Sequence, residues 1–441
     1  MSRGGRQWPA LLGRLAVVLL ALQAVAFSAV ALANLVPDGL IVDELRSAVR
    51  SGAIDETSVF RQRTGGMSDR YGECVMFGIG LGEPEGQSWF GTLALSPTLH
   101  ACPNLVRRLE AEAAGEPLTS VRKIRYWNGL SVVARPALAT VGVNGLRVVA
   151  VVSLVASGCC LAAVVGRAAG RLPAVALLAP LVAAGDLGGL VGVFHHPLMM
   201  SVGLAGAAVL ARCAASGRGG RDLAVAAFAA GSVYSFFNLM NFVPGVWAVS
   251  AAAVAAGVPA RHGARTRAAR MAAAAAAWPA GYVSMWAGKW ILAAAASSPS
   301  EVFDEISSQI RLRINGETRY SSGEPFSGLG ENVDYWLGLP LVPAVLAASG
   351  LFLAVAVWRL ARSPAPAVRT AAVIAGPALI VVLWMLAVSS HNEVHEWFEY
   401  RSLPMALGVL LMASCTPVRT STAAATPARA TAAAARPDEA R

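Results

Sequence analysis

Asp43 and Glu44 follow the first apolar stretch of the chain by only a few residues, after Pro37-Asp38. A carboxylate just outside a membrane helix can take the proton of an acceptor hydroxyl as that oxygen attacks a sugar carbon and a phosphate leaves. Asp43 is the first choice for such a base. Glu44 is an alternative, and so is Glu73 in the cluster Asp69-Arg70-Tyr71-Gly72-Glu73. The plainer reading of Asp38 or Asp43 is a cap at a solvated helix start.

Cations suited to a phosphate come later. The run Arg122-Lys123-Ile124-Arg125-Tyr126-Trp127-Asn128-Gly129 sets basic groups beside aromatics that favour a membrane surface. Arginine offers phosphate a bidentate fork, and headgroup anchoring is the bland alternative. Arg135 stands inside an apolar stretch, where burial calls for an anionic partner. Asp186 and Lys289 are ionisable groups within apolar spans and should face a cavity or a partner, although Lys289, near Trp286 and Trp290, can also snorkel. The stretch from His391 through Glu393 and His395 to Tyr400-Arg401 is dense in polar and aromatic groups, which favours a binding site over a simple turn. His195-His196-Pro197 and the group His391, Glu393, His395 could take a divalent metal, but neither shows a zinc-site spacing with a third ligand nearby. Asn238 and Asn241 add hydrogen-bonding capacity beside Tyr234, Phe236 and Phe237.

These residues are carried by a chain whose solvent is lipid. At 441 residues, 56% hydrophobic and 14% charged, with mean hydropathy +0.55, it is too apolar for a water-soluble globule. Its apolar runs are long and do not alternate, which selects helices over a barrel. Of 26 acidic residues, 22 fall in the segments 36–128, 298–336 and 389–402, together with 14 bases. The intervening short turns, with Arg3, Arg6 and Arg14 near the N-terminus and the C-terminal tail, carry 3 acids against 19 bases. By the positive-inside rule the acidic segments lie outside and both termini inside. The formal charge of +10 therefore reflects topology and does not point to nucleic acid.

The expected fold is an all-α polytopic membrane protein. Its first span runs from about Trp8 to Leu35, retained as a signal anchor behind Arg3 and Arg6. Further spans are expected near 146–165, 173–193, 197–214, 223–241, 243–259, 271–297, 337–358, 368–388 and 399–415, about ten in all. Segment 126–144, interrupted by Arg135-Pro136, reads as a surface or re-entrant helix closing an extended first outer loop, 36–145. The membrane domain spans 1–415, and 416–441 is a low-complexity cytoplasmic tail, expected to be disordered. Cys74 and Cys102 both lie in the first outer segment, where an oxidising compartment permits a disulfide. Richness in Ala, Arg and Gly with only two lysines points to a GC-rich bacterial genome and a plasma membrane.

Four stretches resemble the bacterial GT-C-type glycosyltransferases, in particular those similar to the pilin and actinobacterial D-arabinofuranosyltransferases. They are Leu35-Val36-Pro37 through Asp43, Tyr71-Gly72-Glu73-Cys74, Arg125 to Gly129 with Arg135-Pro136, and His391-Asn392 through His395 to Tyr400-Arg401. A weaker fifth runs from Trp278-Pro279 to Lys289-Trp290. Glu73 stands where the family pattern leads one to expect an aspartate, and Asn128 where it leads one to expect a histidine.

The resemblance implies a GT-C-like bundle and a polyprenyl-phosphate donor of a pentofuranose such as arabinofuranose. It also implies an extracytoplasmic glycan or protein acceptor, with inversion at the anomeric carbon for a β-linked donor and an α-linked product. On that reading Arg125, Arg135, Lys289 and Arg401 bind the donor phosphate, with Tyr126 and Trp127 beside them. Tyr400, His391 and His395 shape the sugar site, while Asp69, His195, His196 and Asn238 face the acceptor or support the site. No cofactor is required by the sequence, and a divalent metal is compatible with it. The runner-up is a transporter or flippase working through Asp186 and Lys289, and a third reading is a non-catalytic assembly partner.

Overall fold

The computed structural model describes residues 7–62, 65–82, 88–316, 321–324 and 326–416. Arg3, Arg6 and the expected tail from 417 onward lie outside the described residues. Within them the chain is built from α-helices and two small antiparallel ribbons. These pair Val59–Arg61 with Met67–Asp69 and Pro97–Thr98 with Val121–Arg122.

Among the described residues five helices are long and apolar enough to cross a membrane: Pro9–Ala33, Ser131–Ala169, His195–Ala215, Val342–Ala361 and Ala365–Ala387. The first and the fourth bury only 11% of their most apolar windows, leaving Leu12, Val17, Leu20, Leu351 and Val357 exposed. Helices so apolar on every side, with so little protein around them, need lipid as their solvent. The protein is thus an all-α membrane protein.

The main core joins His195–Ala215 to Arg171–Ala184, Gly220–Phe237, Val243–Gly257, Ala264–Ala296 and Ser402–Cys415. Its contacts are dominated by small residues such as Ala207, Ala211, Ala227 and Ala252, which let backbones approach closely. The tightest crossing is reciprocal. A Cβ on Gly231 would run into the Trp278 carbonyl, and one on Gly281 into the Phe228 carbonyl. Ser232 Oγ donates to the Gly281 carbonyl at 3.0 Å across the same crossing.

Two expected elements differ. The span 173–193 is not continuous, because its helix ends at Ala184 and Asp186 adopts a left-handed backbone with φ 47°. Asp186 accepts from Gly189 N at 3.1 Å and lies 3.5 Å from the Arg401 guanidinium, so the acid begins a new short helix, Leu187–Val191, instead of lying within a span. The surface helix and the next span, expected as separate, form one element, Ser131–Ala169, broken at Gly142 with φ 70°. Glu44 accepts from Val143 N at 2.9 Å there, satisfying an amide that the break releases.

The first polar segment makes its own small core. Helix Asp38–Arg50 is amphipathic, and its Ile41, Val42, Leu45 and Ala48 join a cluster with Leu105, Val106 and Leu109 of Cys102–Ala113. Cys74 and Cys102 form the disulfide, tying helix Arg70–Phe77 to this unit. The second polar segment folds as helices Pro299–Asn315 and Ser327–Leu337, and the third as the short helices Ser389–Val394 and Glu396–Glu399.

Candidate functional site

A cavity of about 620 Å³ opens where the three polar segments meet. Asp69, Tyr71 and Gly72 come from the first segment, followed by Lys123, Arg125 and Tyr126. Arg313 comes from the second, and His391, His395 and Trp397 come from the third. Ser58 and Asn241, the latter from the turn between two core helices, add to the polar lining.

One wall is cationic. Arg125 and Arg313 both donate to Gln309 Oε1, at 2.9 and 2.7 Å, and Arg313 also donates to the Tyr126 hydroxyl at 3.0 Å. Arg125 has a carboxylate, Glu305, at 3.6 Å, whereas Arg313 has none within ion-pair distance among the described residues. Burial, reinforced by the Arg125 and Arg313 charges, pulls Lys123 down to about 8. Three cations lining one cavity, two of them hydrogen-bonded to the same neutral amide, are suited to an anion.

The same lining carries imidazoles and a carboxylate. Burial and the surrounding positive groups push His395 down to about 4, and burial with the His395 and Arg313 charges holds His391 well below the usual imidazole range. Both rings are therefore neutral at pH 7 and able to accept a proton or a sugar hydroxyl's hydrogen bond. His395 stacks on Phe398 with ring centroids 5.0 Å apart, which fixes its plane.

Asp69 caps helix Arg70–Phe77, accepting from Gly72 N at 2.9 Å, while its other oxygen lies 3.2 Å from His195 Nε2 and 3.6 Å from His196 Nε2. Burial raises its proton affinity, but these imidazoles outweigh burial and hold the carboxyl well below its usual range. Asn241 Nδ2 approaches His196 Nε2 at 3.0 Å. Asp69, His195 and His196 are the group among the described residues whose ligand atoms lie close enough together to hold a metal ion. The other expected metal cluster does not form. Glu393 accepts instead from Ser321 Oγ at 2.8 Å, Ser322 N at 3.0 Å and Ser327 Oγ at 3.0 Å.

An apolar groove of about 140 Å³ adjoins the cavity, lined by Trp286, Trp290, Ile306, Ile310 and Ile314. It shares Arg125, Tyr126 and Arg313 with the cavity. Trp278, Tyr282, Trp286 and Trp290 repeat every fourth residue and bring successive ring centroids to 5.4–5.7 Å, so the groove continues an aromatic ladder along helix Ala264–Ala296.

Comparison of the chain with protein-family models, with curated proteins and with solved structures finds no match. The likeness to the arabinofuranosyltransferases therefore rests on the stretches quoted above alone.

Several expected site residues lie elsewhere. Asp43 is 76% exposed, pairs loosely with Arg46, and lines a separate open groove with Glu44 and residues 138–144. Glu44 is engaged at the Gly142 break. Glu73 is buried, binds Arg147 through both oxygens at 3.0 and 2.6 Å, and accepts from Phe194 N at 2.9 Å, which orients the residue preceding His195.

The remaining groups serve the fold. Arg135 does find an anion, Asp38, but its guanidinium also bonds the carbonyls of Ala33, Ile79 and Val36, so it clamps the end of the first helix and is not available to a donor. Trp127 donates to the Met285 carbonyl at 2.8 Å. Lys289 donates to Leu93 O and Ser96 Oγ at 3.1 and 2.8 Å. Tyr400 and Arg401 both bond the Gly185 carbonyl, at 3.3 and 3.0 Å, and Asn238 bridges Tyr282, Met240 and Asn241. None of these six lines the cavity. The residue that sequence reasoning missed is Arg313, one of several charges on an amphipathic helix with nothing local to single it out. Lys123 was visible within its basic cluster but not singled out as a donor ligand.

Proposed function

We propose that this chain is a GT-C-like integral-membrane glycosyltransferase of ten spans. It transfers a sugar, arabinofuranose by the resemblance, from a polyprenyl-phosphate donor to an extracytoplasmic glycan or protein in a bacterial plasma membrane. One observation carries this reading: Arg125, Tyr126 and Arg313 line both an apolar groove and a polar cavity. A prenyl chain is apolar, its phosphate anionic and its sugar polar, so such a donor matches groove, junction and cavity in order. The charge asymmetry of the sequence supports a cavity facing outward.

In the proposed step an acceptor hydroxyl oxygen forms a bond to the anomeric carbon, and the carbon–oxygen bond to phosphate breaks with its electron pair leaving on polyprenyl phosphate. Arg125, Arg313 and Lys123 hold the charge that develops on the leaving group. The hydroxyl proton passes to His395. In the free site burial and then the nearby cations keep a proton off this ring, and a bound donor anion offsets the cations and raises its proton affinity. Attack from the face opposite the phosphate inverts the anomeric carbon. Asp43, exposed in another groove, has no part in this scheme.

The test is reconstitution in nanodiscs with radiolabelled polyprenyl-phosphoryl arabinose and a panel of envelope acceptors. Labelled product with wild type, lost in Arg125→Ala/Arg313→Ala, is expected. Movement of intact donor across proteoliposomes without covalent product would replace this reading with transport.

A further inference from the structure

We infer that Asp69, His195 and His196 form a divalent-cation site in the floor of the cavity. Each offers a ligand atom, and the three atoms lie within 4.8 Å of one another. The residues are brought together from far apart: Asp69 ends a short strand, whereas the histidines open the helix His195–Ala215.

Hydrogen bonding alone serves this arrangement poorly. Asp69 Oδ2 faces both rings, at 3.2 Å from His195 Nε2 and at 3.6 Å from His196 Nε2, and the latter is too long for a hydrogen bond. The rings are 0% exposed, with centroids 4.2 Å apart; the Nε2 atoms meet Asp69 and, at 3.0 Å, Asn241 Nδ2, while the Nδ1 atom of each has no hydrogen-bond partner. Leaving buried polar atoms unpaired is costly. A cation among the three side chains would engage ring lone pairs and the carboxylate oxygen together.

Access and preorganisation point the same way. Gly72 lines the cavity, and a Cβ there would come within 2.6 Å of Asp69 Oδ2 and 2.7 Å of His195 Nε2. Only a residue without a side chain leaves room between the cluster and the open space. The Glu73 carboxylate holds Phe194 N, and Phe194 stacks on Phe77 at 5.2 Å, so the turn carrying the histidines is braced before any ion arrives. Two imidazoles and one carboxylate suit a borderline ion such as Zn²⁺ or Mn²⁺ better than Ca²⁺ or Mg²⁺, which prefer all-oxygen shells. Three protein ligands leave coordination positions for water or a substrate oxygen from the cavity.

This site does not depend on sugar transfer, and its test reads binding. Protein purified without chelator is stripped and titrated with Zn²⁺ and with Mn²⁺ by calorimetry, and metal content is measured by mass spectrometry. About one equivalent per chain is expected for wild type and for His391→Ala. At least a roughly 10-fold loss of affinity is expected for His195→Ala and for His196→Ala. Because those variants remove buried side chains, Co²⁺-loaded wild type provides a second readout. Visible bands of a four- or five-coordinate nitrogen and oxygen site support the assignment. No stoichiometric binding by wild type, a spectrum of hexa-aqua Co²⁺, or binding that survives in folded His195→Ala and His196→Ala but is lost in His391→Ala overturns it. Wild type that binds metal but forms no transfer product would count against the transferase reading and leave the metal site standing.

Discussion

Arg125 and Arg313 donate to the same oxygen, Gln309 Oε1, although they come from different polar segments of the chain. Two guanidiniums converging on one neutral amide, with a single carboxylate within ion-pair distance among the described residues, Glu305 at 3.6 Å from Arg125, keep attraction for an anion where the apolar groove meets the cavity. Each charge-assisted contact to a phosphate contributes about 1.5–3 kcal/mol. Arg125→Ala and Arg313→Ala should therefore each weaken donor binding by roughly 10- to 100-fold. Quenching of tryptophan fluorescence, with Trp286 and Trp290 lining the groove, measures this directly. Unchanged affinity in both variants would remove the phosphate from this junction.

Lys123 makes donor binding depend on pH. Its folded-state value of about 8 is below the ordinary lysine value of 10.5, so the folded protein holds fewer protons than the unfolded chain between these two values. Stability from this group therefore rises with pH across that window. Affinity for an anionic donor moves the opposite way, falling above pH 8 as the charge is lost. Lys123→Arg should flatten the affinity profile between pH 7 and 9.5, and an equally steep fall in that variant would mean that another group titrates.

His395 should separate turnover from binding. A neutral imidazole that receives a proton in the reaction contributes roughly 10²-fold or more to the rate. His395→Ala is expected to lower kcat by that order while changing donor affinity by less than about threefold. A loss confined to affinity would assign the ring to sugar recognition alone.

Asp43 and Glu73 should behave in opposite ways. Asp43→Asn alters an exposed group and should leave both thermal stability and transfer within about 20% of wild type. Glu73→Ala leaves the Arg147 charge and Phe194 N without their partner, a loss of about 3–5 kcal/mol. The melting temperature in detergent should fall by at least about 5 °C. Abolished transfer in a stably folded Asp43→Asn protein would restore the carboxylate expected from the sequence.

The crossing of Gly231 with Gly281 should tolerate no side chain. Either glycine replaced by valine drives a methyl-bearing carbon into a backbone carbonyl of the opposing helix, which cannot yield as a flexible side chain would. Overpacking of this kind costs about 1–3 kcal/mol or more. Size-exclusion profiles should show aggregated protein for both variants, and a monodisperse Gly281→Val sample with unaltered melting would contradict this crossing.

Hydropathy and charge are local sums. A helix such as Pro9–Ala33 or Val342–Ala361 is apolar whatever it packs against, so the membrane class and the all-α architecture were legible in the sequence. The same holds for the polar segments that converge on the cavity. Which polar groups face that cavity was not legible, because it depends on partners distant in the chain. Arg125 and Arg135 looked alike as candidates, yet one lines the cavity and the other is bound by the carbonyls of Ala33, Val36 and Ile79. Asp43 and Asp69 were both plausible carboxylates. Only the fold brought His195, 126 residues along the chain, against Asp69, while leaving Asp43 in water. A side chain's chemistry is written in its type, but whether that chemistry is available is set by the neighbours that tertiary packing supplies.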